Sequence, residues 1–172
     1  MKKIAILVAL VLLVAVPAAF SQFRVDIGFN APISIGFSGF DIDGESVDVP
    51  SFIPLPFAQL SYGFDLGPVN LGIGLKAYTL IIESLAWPTL FVELDVDPVI
   101  ITASVGGGLF IYFGAIGNGT LDTHMFIPDL AAHLKLGRVA RFGLGVMTFV
   151  ASEEQELFPY IFYGSLQFSF PL

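Results

Sequence analysis

At 172 residues the chain is the length of one domain. Its hydrophobic fraction of 55%, charged fraction of 13% and mean hydropathy of +0.84 exclude disorder and depart from the soluble norm of about 45–50% apolar and about 25% charged. The absence of cysteine rules out a disulfide framework, a thiolate metal site, a thiol nucleophile and a lipid-modified cysteine.

Lys2 and Lys3 form a basic start, Ile4 to Val16 an apolar run broken by Pro17, and Ala19-Phe20-Ser21 a small-x-small site. This layout predicts a secretory signal peptide over 1–21. An uncleaved anchor is the alternative, because residues 4–20 are at the lower limit for crossing a bilayer. Removal of 1–21 leaves 22–172 as a single domain with five basic and fifteen acidic side chains, a net charge of −10. So acidic a chain does not suit nucleic acid.

After Ser21 no uncharged apolar window is long enough for a membrane helix; the nearest candidate, 98–115, carries Gly106-Gly107-Gly108. The hydrophobicity instead runs at period two, the mark of strands with two unlike faces. From Phe23 to Phe37 every odd position is apolar, while Arg24, Asp26, Asn30 and Ser34 take even ones. Further strands are expected over 53–64, 69–81, 87–96, 99–113, 126–136, 139–150 and 158–172. Within a strand, the charged or histidine side chains share parity: Arg24 with Asp26, Glu93 with Asp95, and Asp129 with His133 and Lys135.

Tight turns are expected at 65–68, 97–98 and 137–138, and longer loops at 38–52, 82–86, 114–125 and 151–157. Short turns at one rim and long loops at the other are the plan of a bacterial outer-membrane barrel. With eight strands both mature termini fall at the short-turn, periplasmic rim. The expected fold is therefore all-β: a closed, antiparallel, up-and-down transmembrane β-barrel. Closure removes the free edges that lipid cannot hydrogen-bond.

On these features the mature chain resembles the small eight-stranded outer-membrane β-barrels, the group that includes OmpX, OmpW and the membrane domain of OmpA. The resemblance covers essentially all of 22–172 and concerns architecture more than activity. It implies that the outer-membrane assembly machinery reads a C-terminal alternation, here Phe162, Gly164, Leu166, Phe168, Phe170 and Leu172. Leu172 stands where the group usually has an aromatic, and Pro171 is unusual before it.

An eight-stranded barrel has an interior that side chains fill, or that holds one small ligand. Arg24, Lys76, Lys135 and Arg141 are expected inside with Asp26, Glu93, Asp95 and Asp129, as an ion-pair network near the short-turn end. It would be a structural plug or, alternatively, a gated pore or proton path. Above it, Ile53, Leu55, Phe57, Leu80, Trp87, Phe91, Phe110, Tyr112, Met147, Phe149 and Ile161 face inward, among glycines that take up little volume. Phe and Gly number 18 each. These side chains either fill the upper lumen or leave a pocket for a small hydrophobic ligand, for which the resemblance to OmpW-type barrels gives a precedent.

The long loops are acidic. Asp41, Asp43 and Glu45 are a weak candidate for divalent cations, but Ser46 stands where an EF-hand loop needs glycine. No cofactor is expected. The resemblance also brings lipid A-modifying barrels into view, which use His with Ser and a carboxylate. Here only His124 and His133 are available, with no nucleophile–base–orienter arrangement. The expectation is a non-enzymatic outer-membrane barrel with membrane lipid as its main partner and a structural or surface-interaction role. Binding or passage of a small hydrophobic molecule is the alternative.

Overall fold

The structure, a computed structural model, describes residues 21–39, 46–48, 54–80, 82–151 and 157–172. The expected signal segment up to Phe20, Ile53 and the acidic triplet Asp41, Asp43 and Glu45 lie outside the described residues. The strands are β1 (Ser21–Gly39), β2 (Ser46–Asp48), β3 (Leu55–Leu66), β4 (Val69–Leu80), β5 (Glu83–Val96), β6 (Val99–Gly114), β7 (Asn118–Leu136), β8 (Ala140–Thr148), β9 (Val150–Ala151) and β10 (Leu157–Pro171). β1, β3, β4, β5, β6, β7, β8 and β10 pair in that order, each antiparallel to the next, and β10 returns to β1 to close the barrel. β2 folds back on Ser34–Gly36, and β9 pairs with Met125–Phe126. The shortest barrel strand, β8, has nine residues and the longest have 19. All of them meet the roughly 9–11 residues that a tilted strand needs to cross hydrocarbon.

The three tight turns and both ends of the described chain share one rim. Gly67 and Gly137 take φ of 78° and 89° there, a region that other residues enter only with strain. Two of the four expected long loops are turns instead. Leu80 pairs with Glu83, so β4 and β5 are joined by residues 81–82 alone. β6 and β7 continue to the Phe113–Asn118 pair, leaving 115–117 as the connection. The polar breaks at Ser84 and at 118–124 end the two-face pattern, yet the backbone ladder runs on because each hairpin satisfies its partner's N–H and C=O groups.

The outer face is apolar all the way round. Ile27, Leu60, Ile73, Leu90, Val105, Leu130, Leu144 and Leu166 are exposed, one from each barrel strand. Water does not favour so continuous an apolar surface, and a bilayer does. Two details depart from a regular pattern. A bulge between Pro32 and Ser34 shifts the register against β10 and places Ile35 opposite Ile161, while Ile33 and Ile35 both stay exposed. Proline lacks the N–H that the ladder needs at that point. Ala31 lies on the outer face but is buried, because it is short beside Phe29 and Ile33.

Candidate functional site: the barrel lumen

The inward faces form two tiers. The lower tier, toward the turn rim, is built on Glu93 of β5. Arg24 on β1 donates to it through both terminal nitrogens, from Nη1 to Oε2 at 2.5 Å and from Nη2 to Oε1 at 2.9 Å. Arg141 on β8 donates from Nη1 to Glu93 Oε1 at 3.2 Å. Arg24 Nε also donates to Asp26 Oδ2 at 2.8 Å, and the Asp26 carboxylate accepts from Ser169 Oγ on β10. One carboxylate thus ties strands from opposite sides of the barrel to one another. The planar guanidinium makes this possible, since its fork matches two carboxylate oxygens at once.

Lys76 on β4 forms a second centre, donating to Asp129 Oδ2 on β7 at 3.0 Å. Tyr163 on β10 donates to the other oxygen of Asp129, and Asn30 on β1 donates to Tyr78 on β4. Lys135 lies at the rim, 2.6 Å from Asp95 and 3.4 Å from Asp97. All eight expected charged residues therefore have a partner of opposite sign, but in three groups. Only the Lys135 group is open to solvent, and Asp97, a turn residue, joins it.

Above Lys76 the lumen is filled by rings. Phe57, Tyr78, Trp87, Phe110, Ile127, Met147 and Tyr163 form one buried cluster, with Leu55, Leu85, Met125, Phe149 and Ile161 packed against it. Tyr78 stacks on Trp87 with ring centroids 5.5 Å apart, and Trp87 meets Phe110 at 5.7 Å. A small cavity at the base of this tier, between Lys76, Trp87, Ile127 and Met147, measures about 10 Å³. Two residues expected here lie elsewhere. Phe91 is in the lower tier, where the Arg24 guanidinium sits 5.3 Å from its ring centre. β5 runs downward from the loop rim, so Phe91 is only five residues above Val96 at its lower end. Tyr112 is 40% exposed at the top of β6, because that strand outruns the ring cluster. The Leu80 side chain lies outside the described residues.

Glycines place the rings. A Cβ built on Gly28 would meet Phe57, and one on Gly72 would meet Phe91; the same holds for Gly106 with Trp87, Gly145 with Tyr163, and Gly143 with His133. Phe57, Phe91, Trp87, Tyr163 and His133 thus each lie over a glycine of a neighbouring strand. An eight-stranded barrel has no room for two full side chains at such a level.

Sequence reasoning left Tyr78, Tyr163, Ile127, Asn30 and Ser169 out of the site, although their parity with Lys76, Asp129, Asp26 and Gln167 is visible in the sequence. Between the tiers is a polar chamber of about 40 Å³, and below Glu93 a vestibule of about 230 Å³ opens at the turn rim. Of the two histidines, His124 is exposed on β7 and His133 is buried against the chamber. Among the described residues no group of three or more His, Asp or Glu side chains could hold a metal ion.

A closed antiparallel barrel, apolar outside on every strand and ion-paired within, is an integral membrane β-barrel. The chain is similar to several solved structures. The N-terminal β-barrel domain of Pseudomonas aeruginosa OprF is 13% identical, with a TM-score of 0.45, covering 87% of this chain and 99% of that one. Neisserial surface protein A is 8% identical at a TM-score of 0.45, over 86% and 97%. Ail, the attachment invasion locus protein of Yersinia pestis, is 5% identical at 0.39, over 87% and 99%. No family model and no curated protein matches the sequence.

Proposed function

We propose that this chain is an outer-membrane barrel with a closed lumen, exported by the segment 1–21 and inserted with both mature termini and the tight turns on the periplasmic side. Its role is structural or in surface interaction, and it carries no wide pore. The observation behind this reading is the double closure of the lumen. A charge-neutral floor around Glu93 and a packed ring tier above Lys76 block the axis at two levels. Membrane lipid is the main partner, and the assembly machinery reads the last strand, where Phe162, Leu166 and Phe170 point outward. The reading is non-enzymatic: His124 is exposed, and neither nitrogen of His133 meets a hydroxyl.

Planar-bilayer recording of the refolded barrel tests this reading. Steady conductance of the unmodified protein would replace the closed lumen by a pore. Co-extraction of a small hydrophobic molecule with the folded barrel would move the function to ligand passage, which must displace the packed ring cluster.

A further inference from the structure

Among the described residues, His133 is a buried titratable side chain that neither tier employs. It is 5% exposed, and neither Nδ1 nor Nε2 meets a hydrogen-bond partner among the described residues. Its ring lies on Gly143, two residues from Arg141 on the same strand, and faces the chamber. An imidazole so placed is costly unless it gains partners. The chamber, at about 40 Å³, has room for about two to four water molecules at about 10–15 Å³ each. Arg24, Phe91 and Glu93 line both chamber and vestibule, so protons from the turn rim have only the Glu93 cluster to pass.

We propose that the chamber is a proton-binding site, with His133 as its acceptor and Arg141 as the group that moves in response. A hydronium proton from the vestibule bonds to the free lone pair of one ring nitrogen and leaves water behind. The charged groups around the chamber are these: β1 brings Arg24 and Asp26, β4 brings Lys76 beside Tyr78, β5 brings Glu93, and β7 brings Asp129 and, at the rim, Lys135. β8 brings Arg141, which lines the vestibule below the chamber, and β10 brings Tyr163. β3 and β6 contribute only uncharged polar groups there, such as Gln59, Thr102 and Ser104.

With His133 neutral, Arg24, Lys76 and Arg141 balance Asp26, Glu93 and Asp129. Protonation adds one positive charge and a second N–H donor, and Glu93 is the acceptor shared by the floor. Arg24 holds Glu93 with two nitrogens and Asp26 with a third, whereas Arg141 holds it through one contact of 3.2 Å. Arg141 is therefore the partner displaced, and the vestibule on its side gives it water to enter. Acid thus joins chamber and vestibule without disturbing the ring tier.

The experiment follows the ¹⁵N signals of both histidines and of the arginine side chains in the folded barrel between about pH 7.5 and about pH 5, the interval in which histidine changes charge. Exposed His124 is the internal reference. The proposal expects His133 to titrate, Arg141 to shift with the same midpoint and Arg24 to stay. In a second measurement, Ser104→Cys in this cysteine-free chain reports access to the chamber. Its labelling by a cationic methanethiosulfonate reagent, relative to Ile116→Cys at the exposed loop rim, rises several-fold on acidification and stays flat with His133→Gln. A His133 that remains neutral to about pH 5, or an Arg141 that does not move with it, overturns the proposal. So does an equal rise in labelling with His133→Gln. Should that variant fail to fold, the unmodified barrel's own ¹⁵N midpoints decide.

Discussion

Glu93 concentrates the lumen's electrostatics in one side chain. It accepts from Arg24 and Arg141, with Thr102 Oγ1 at 3.5 Å. Removing one partner of a buried ion pair costs about 3–5 kcal/mol, because the other charge is left without compensation. Glu93→Gln leaves two guanidiniums facing a neutral amide, so its loss of stability should reach that range. Lys76→Met strands only Asp129, which keeps the Tyr163 hydroxyl, and about 1–3 kcal/mol is expected, scaled down from the same effect. Asp95→Asn at the solvated rim should change little, because exposed ion pairs contribute little. Urea unfolding from lipid vesicles ranks the three, and an Asp95 effect as large as that of Glu93 would refute this electrostatic order.

At the scale of the strand, faces and glycines decide. Ile73 is exposed on the outer face of β4, where arginine at mid-depth costs about 2–4 kcal/mol and leucine costs little. Equal stability for Ile73→Arg and Ile73→Leu in bilayers would place that face away from lipid. The inner face shows why glycine is as common as phenylalanine. Gly106→Ala puts a methyl where Trp87 lies, and overpacking of this kind costs about 1–3 kcal/mol. Combining it with Trp87→Leu should recover part of the loss, since two residues in contact do not act additively. A double variant whose loss equals the sum of the single ones would show that Trp87 does not use the Gly106 slot.

For the whole molecule, closure separates two rims. Arg138 is at a turn on the rim shared by both ends of the described chain, and Ile116 is at the opposite rim. In cells, Ile116→Cys should react with an impermeant thiol reagent from outside, and Arg138→Cys only after the envelope is opened. The reverse pattern would invert the proposed insertion. The folded barrel in detergent should also show a β circular-dichroism spectrum and a heat-modifiable gel position; a helical spectrum would contradict the fold.

Period-two hydrophobicity with shared parity of Arg24, Asp26, Glu93 and Asp129 was enough to read the number of barrel strands, their faces and the charged interior. Parity is a local property, fixed by alternation along each backbone. Three things needed the tertiary structure. Where the ladder ends is set by pairing between strands, so hairpins at 81–82 and 115–117 replaced the expected loops. Which charges meet depends on stagger around the closed ring, which set Lys76 on Asp129 and both guanidiniums on Glu93. Whether the apolar upper lumen is open depends on volume. Only the closed barrel shows Phe57, Phe91, Trp87 and Tyr163 seated on a neighbour's glycine, because that fit is made between strands and has no signature within any one of them.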